Sequence, residues 1–366
     1  MRILSKIEKV LIIYSSICFL VLTALIISLC VNPQPMQDIG MKSYKKSGFP
    51  RKLVAPFIDL TSWVPLEHPY SVNGVPNLSK IAGETGEKYF NLGFVQLDYK
   101  KPINADGSLR WCWAGYYYLS EKGNDNFQYE GIKACIKAVR DQGGDVIVSI
   151  GGQLGPAPWT VSANVLKLAD MYTDIVNTYK LKRIDLDIEE GKEDNQINAK
   201  AIKIAQTRTN VEVVLTIPVM PNGWDKKQID LIESYLNEGV DICLINNMTM
   251  CYGFTSLNAN EDYGDASIRA MANAAKQLVN IYKTRGKTIS ISEAYKKMGA
   301  TVDIGYENNL NPTFTPNLTK KVVDDAIKNN YGMVSFWSLN RDTEIEENKG
   351  ITSKYAHLYE LKKFAN

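Results

Sequence analysis

Eight short β-rich runs recur along the chain, with helical stretches between most of them. This alternation narrows the fold more than any other feature. The runs are LVAPFIDLTSW (53–63), YFNLGFVQLDY (89–99), DVIVSIGG (145–152), RIDLDIEE (183–190), VEVVLTIPV (211–219), DICLINNMTM (241–250), ATVDIGY (300–306) and YGMVSFWSLN (331–340). YEGIKACIKAVRDQ, VLKLADMYTDIVNTYK and SIRAMANAAKQLVNIYK, which lie among them, have helical periodicity. Strand and helix in alternation predict parallel β-α units. Eight such units in roughly 310 residues fit a (β/α)8 TIM barrel with insertions. An open doubly wound sheet is the main competitor, but no Gly-rich phosphate fingerprint follows the first strand.

Ahead of this array, VLIIYSSICFLVLTALIISLCV (10–31) runs for 22 residues without a charge. A helix of that length crosses a hydrocarbon core of about 30 Å. No A-x-A-like site follows in VNPQPMQD, so an uncleaved transmembrane or signal-anchor segment is expected rather than a cleaved signal peptide. Basic residues flank both ends (Arg2, Lys6 and Lys9 before; Lys42, Lys45, Lys46, Arg51 and Lys52 after), so charge alone does not orient the span. The expected organisation is a basic tail over 1–9, the span over 10–31, a linker over 32–52 and the barrel over 53–366.

Composition excludes several classes. Apolar residues make up 45 % and charged residues 22 %, enough to build a core. A net charge of +2 is too small and scattered for a nucleic-acid partner. His68 and His357 stand apart from any ligand-like cluster, so no zinc centre, and no cofactor, is expected. Outside the apolar segment, which holds Cys18 and Cys30, four cysteines remain: Cys112, Cys135, Cys243 and Cys251. They form no disulfide framework, although a single bridge such as Cys112–Cys135 would suit an oxidising compartment. Asn77, Asn247 and Asn317 fit the N-x-S/T pattern, with Asn247 inside a strand.

RIDLDIEE carries the chemistry. Residues two apart share a strand face, so Asp185, Asp187 and Glu189 point one way and Ile184, Leu186 and Ile188 the other. In a barrel the apolar set packs under the helices and the acids face the axis, ending at the C-terminal mouth where barrel active sites lie. Grouped, buried carboxylates oppose one another's ionisation, which raises at least one pKa and suits an acid catalyst beside an electrostatic assistant. Two other readings stay open here. One is a solvated strand face; the other is oxygen ligation of Mg²⁺ or Ca²⁺ with Asp59 and Asp98 as candidate partners. Trp63, Trp111, Trp113 and Trp337 near strand ends, with Tyr116, Tyr117, Tyr118 and Tyr252, offer flat faces suited to sugars, although each Trp alone reads more readily as core. Gly151 and Gly152 read as a tight turn that also leaves room for a sugar, and Arg341 with Asp342 as a structural ion pair.

Taken together, APFIDLTSW, SIGG (149–152), IDLDIEE, LTIPVMP, NNMTMCYG and SFWSLNRD, in that order from residue 53 to 345, resemble the family 18 glycoside hydrolases, the bacterial-type chitinases. The resemblance implies a retaining, substrate-assisted hydrolysis of β-1,4 bonds in chitin or N-acetylglucosamine oligosaccharides, an exception to the two-carboxylate rule. It makes Glu189 the proton donor, Asp187 the carboxylate that orients the substrate's N-acetyl group, Asp185 its inner partner and Trp337 the floor under the scissile sugar. Met250, Cys251, Tyr252, Gly151 and Gly152 fall at substrate-binding positions. Where the related branch reads Met-Asp-Tyr on strand six, this chain reads Met250, Cys251, Tyr252. The alternative is therefore a catalytically weakened or inactive chitin-binding barrel. With the apolar span, the resemblance implies a monomeric extracytoplasmic protein, membrane-anchored or secreted.

Overall fold

The computed structural model describes residues 48–116, 127–189, 195–306, 308–343, 345, 350–351 and 353–365. The apolar segment 10–31, Cys18, Cys30, Tyr117 and Tyr118 lie outside them.

All eight predicted strands form. They are β1 (Leu53–Val54) with β2 (Phe57–Asp59), β5 (Tyr89–Leu97), β7 (Asp145–Gly151), β8 (Arg183–Asp187), β9 (Glu212–Pro218), β10 (Ile242–Met248), β11 (Met298–Asp303) and β12 (Met333–Trp337). Three short strands were not foreseen: β3 (Ser71–Val72) and β4 (Val75–Pro76) form an antiparallel pair, and β6 (Trp111–Trp113) runs antiparallel to β5. The others are parallel, in the order β1-β12-β11-β10-β9-β8-β7-β5-β2. Ala55 and Pro56 separate β1 from β2. Ala55 donates its N–H to Val334 O (3.3 Å), and Pro56 O accepts from Asn91 N (3.0 Å). The two pieces of one segment thus stand at opposite ends of the sheet, which curls into a TIM-barrel-like α/β fold. Helices that include Phe127–Asp141, Val165–Tyr179 and Tyr263–Thr284 follow the periodicity read from the sequence.

Strand parity sorts the inward side chains into layers. At the N-terminal end Phe49, Leu53, Ala55, Ile147, Val214, Leu244 and Met333 make an apolar plug. Phe49, inside the segment read as linker, already packs in this plug. Arg183, fully buried, lies over the Phe49 ring at 4.4 Å and bonds Glu212 Oε2 through Nε (2.9 Å) and Nη2 (2.6 Å). Two donors converging on one carboxylate oxygen, with the ring beneath, are what allow a guanidinium inside the barrel. The next layer is polar, and its donors converge. Thr301 Oγ1 donates to Asn246 Oδ1 (2.8 Å), Asn246 Nδ2 to Thr216 Oγ1 (3.0 Å), and Thr216 Oγ1 to Asp185 Oδ1 (2.6 Å). From the other side Ser149 Oγ donates to Asp185 Oδ2 (2.6 Å). Facing outward, Ile184 and Leu186 are fully buried. Both faces of β8 are covered, so the solvated-face reading of its acids fails.

Three sequence readings are corrected. Cys112 and Cys135 are free thiols, not a bridge; Cys135 Sγ donates to Pro76 O (3.1 Å). Burial pushes both thiols up to about 12, which keeps them unreactive. Arg341 does not pair with Asp342 but with Asp303, because Asp342 turns to accept the backbone N–H groups of His357 (3.2 Å) and Leu358 (2.8 Å) at a helix start. Asn247 is fully buried and accepts from Trp224 Nε1 (2.8 Å), so it is no glycan acceptor. Among the described residues no helix is long and apolar enough to cross a membrane.

Candidate active site

A cleft of about 720 Å³ opens at the C-terminal mouth of the strands. Asp187, the last residue of β8, and Glu189, two residues beyond it, both line it, with Trp337, Met250, Cys251 and Tyr252. Asp185 lies one layer deeper, fully buried and outside the cleft lining.

Burial sets the electrostatics. The Asp187 carboxyl is raised well above the carboxylate range, first by desolvation and then by the negative charges of Glu189 and Asp185. Its Oδ1 is buried and has no hydrogen-bond partner among the described residues. Such an orphan acceptor is costly unless a ligand completes it. Asp185 is also raised by burial, an effect its donors Ser149 and Thr216 partly offset. Burial and mutual repulsion thus let both carboxyls hold a proton to higher pH than ordinary carboxylates do.

Trp337 ends β12 and rests on Phe94 (ring centroids 5.4 Å apart, 29° between planes), which in turn stacks on Phe57 at 6.4 Å. The stack fixes the indole as a flat platform beside Asp187 and Glu189. Neither Phe57 nor Phe94 was singled out in the sequence, since a Phe inside an apolar run carries no sign of which face it serves. Tyr116 and Tyr252 line the cleft as read, and Tyr99, which was not, joins Tyr116 at 5.8 Å. Three other tryptophans turn elsewhere. Trp113 is fully buried and bonds Tyr179 Oη (2.8 Å), Trp111 bonds Asp174 Oδ2 (2.7 Å), and Trp63 sits exposed over Gly74.

Gly151 and Gly152 are not among the residues lining the cleft. At Gly151 (φ +115°) a Cβ would come within 2.2 Å of Asp187 O, and Gly152 donates its N–H to that same oxygen at 3.1 Å. The pair lets β7 close against the end of β8 and so holds the Asp187 backbone in place. The oxygen-ligand reading also loses its partners. Asp59 reaches the cleft but accepts from Thr61 N (2.8 Å) and Thr61 Oγ1 (2.5 Å), while Asp98 pairs with Arg110 (3.3 Å) away from the lining. Among the described residues no group of three or more His, Cys, Asp or Glu is placed to hold a metal ion.

Across 313 residues the chain is 29% identical to a probable bifunctional chitinase/lysozyme of Escherichia coli and, over an equal length, 29% identical to Endochitinase 11 of Metarhizium anisopliae. The matched region is 81% of this chain but only 32% and 54% of those two proteins, so the chain spans about a third to a half of their length. The crystal structure of the catalytic domain of a hyperthermophilic chitinase from Pyrococcus furiosus superposes with a TM-score of 0.70 at 27% identity, covering 87% of this chain and 96% of that one. Over most of its length the chain is thus similar to chitinases, in sequence and in fold. No family-wide sequence model matches it. Cys251 stands where the resemblance leads one to expect an acid on strand six. It is exposed, in the left-handed region (φ 57°), with Sγ 3.9 Å from Asp303 Oδ2. Asp303, at the end of β11 and lining the cleft, escaped the sequence reading, although its parity with Thr301 on ATVDIGY already placed it on the inward face.

Proposed function

We propose that the chain hydrolyses β-1,4 bonds in chitin or its oligosaccharides with retention of the anomeric configuration. The observation that carries the reading is the buried, unpartnered Oδ1 of Asp187 between Asp185 and Glu189, beside the Trp337 platform. An N-acetylglucosamine unit lying on Trp337 supplies the missing donor through its amide N–H. With the amide held there, its carbonyl oxygen attacks the anomeric carbon. Glu189 gives its proton to the glycosidic oxygen as that bond breaks, and the leaving chain departs as an alcohol. The ionised Asp187 faces the positive charge that develops on the amide, while Asp185 takes the proton the pair shares. Glu189, now a carboxylate, removes a proton from water as the water opens the cyclic intermediate, which restores the acid and retains configuration. Supporting the substrate class, catalytic-site mutants of the Pyrococcus furiosus chitinase were solved in complex with chito-oligosaccharides.

The test is incubation of the purified protein with chitooligosaccharides, followed by mass analysis of products and NMR of the first-formed anomer. We expect shortened N-acetylglucosamine oligomers with the β-anomer formed first. The initial appearance of the α-anomer would exclude the substrate-assisted route. Cys251, a thiol at the cleft wall where an acid is expected, favours the second reading of a chitin-binding barrel; tight binding with unchanged oligomers would select it.

We further infer that residues 10–31 hold a monomeric barrel at a membrane, the span resting on 22 uncharged residues with no cleavage site and the extracytoplasmic side on the polymeric substrate proposed above. The protein is then expected in the alkali-washed membrane fraction. A soluble mature chain starting near residue 32 would reject the anchor.

A further inference from the structure

Among the described residues four acids line the cleft: Asp59, Asp187, Glu189 and Asp303. Asp59 is engaged by its own turn, with Thr61 on Oδ1 and Ser62 Oγ at 3.3 Å from Oδ2. Asp303 is placed differently. It lies 8 % exposed, in register beside Trp337 across the β11–β12 ladder. Its Oδ1 is clamped by Arg341 Nη1, and Arg341 is held in turn through Ile304 O at 3.3 Å. Its Oδ2 is the oxygen on the Cys251 side, 3.9 Å from Sγ. A carboxylate is therefore fixed rigidly next to the aromatic floor, within a thiol's reach of the position where strand six lacks one. Arg341 pairs with it at the mouth, and Asp342, spent on a helix start, does not compete for that guanidinium.

We propose that Asp303 is a substrate-contacting carboxylate that supplies from β11 the acid this chain lacks at Cys251. It accepts a hydrogen bond from the N-acetylglucosamine unit lying on Trp337 and so selects for a sugar with a donor on that side. The inference rests on the substrate class proposed above. It makes Cys251 a neutral neighbour rather than a defect: a second carboxylate 3.9 Å away would set two like charges against each other.

Binding of an N-acetylglucosamine tetramer by calorimetry, in a Glu189→Gln background that removes turnover, tests the assignment. Asp303→Asn is expected to weaken binding about 10- to 100-fold, the range for losing a charged hydrogen-bond acceptor. Cys251→Asp added to Asp303→Asn should recover most of that loss, because the carboxylate returns to nearly the same place. Cys251→Asp beside native Asp303 should weaken binding at neutral pH and regain it at acidic pH, where one of the two takes a proton. Undiminished binding by Asp303→Asn overturns the proposal. So does a weakening that Cys251→Asp fails to relieve, since that assigns Asp303 only the structural task of neutralising Arg341. Should Asp303→Asn fail to fold by circular dichroism, Cys251→Asp alone decides: equal or tighter binding at neutral pH rejects the proposal. If the Glu189→Gln parent binds no tetramer, the substrate reading itself fails and the Asp303 proposal falls with it.

Discussion

Glu189→Gln is expected to reduce hydrolysis about 10²- to 10⁴-fold, the contribution of a positioned general acid, while oligosaccharide binding stays close to that of the parent. Gln keeps the shape and polarity of Glu189 and its place at the cleft wall but has no proton to give the leaving oxygen. The same change removes a negative charge that helps raise Asp187. Asp187 should then ionise at lower pH than in the parent. A buried acid whose folded pKa is raised holds its proton longer in the native state, so its unfavourable effect on stability grows as pH rises from the unfolded value through the folded one. Glu189→Gln lessens that effect, and Tm should rise slightly at neutral pH, with no gain below about pH 3 where both states are protonated. Steady-state kinetics on a chromogenic chitobioside and calorimetry on the tetramer check the pair of effects. Turnover near the parental rate would remove Glu189 from the role of acid.

Asp187→Asn should lower kcat about 10²- to 10³-fold, the scale for losing one preorganised electrostatic group that faces developing charge, with KM little changed. An amide oxygen can still accept the N–H of the sugar, but it brings no negative charge to the N-acetyl group as that group attacks. The substitution also removes a desolvated, mutually repelling charge from the barrel, so thermal stability at neutral pH should increase while activity collapses. Opposite signs in the two measurements mark a group kept for function against its own folding cost. A kcat within a few-fold of the parent, or a fall in activity that merely follows a fall in Tm, would refute the role given to Asp187.

What could be read from the residues alone was what repeats locally. Alternation of β-rich runs with helical periods revealed eight units, because strand and helix periods are properties of neighbouring residues. Parity within RIDLDIEE placed Asp185 and Asp187 on the inward face for the same reason, and Glu189 followed at the loop that opens the mouth. The tertiary structure decided everything that depends on which strand end meets which. Four tryptophans stood near strand ends in the sequence, but only Trp337 lines the cleft, because Trp111 and Trp113 go to Asp174 and Tyr179 on a helix that no local pattern links to them. Arg341 looked paired with its neighbour Asp342, yet register between β11 and β12 offers it Asp303, 38 residues away. The register between β10 and β11 likewise sets Asp303 near the thiol of Cys251, three residues beyond the end of β10. A missing carboxylate shows in a linear sequence at one position; its neighbour on the adjacent strand appears only when the strands are laid side by side, since pairing between parallel strands is set by packing around the whole barrel and not by the residues of either strand.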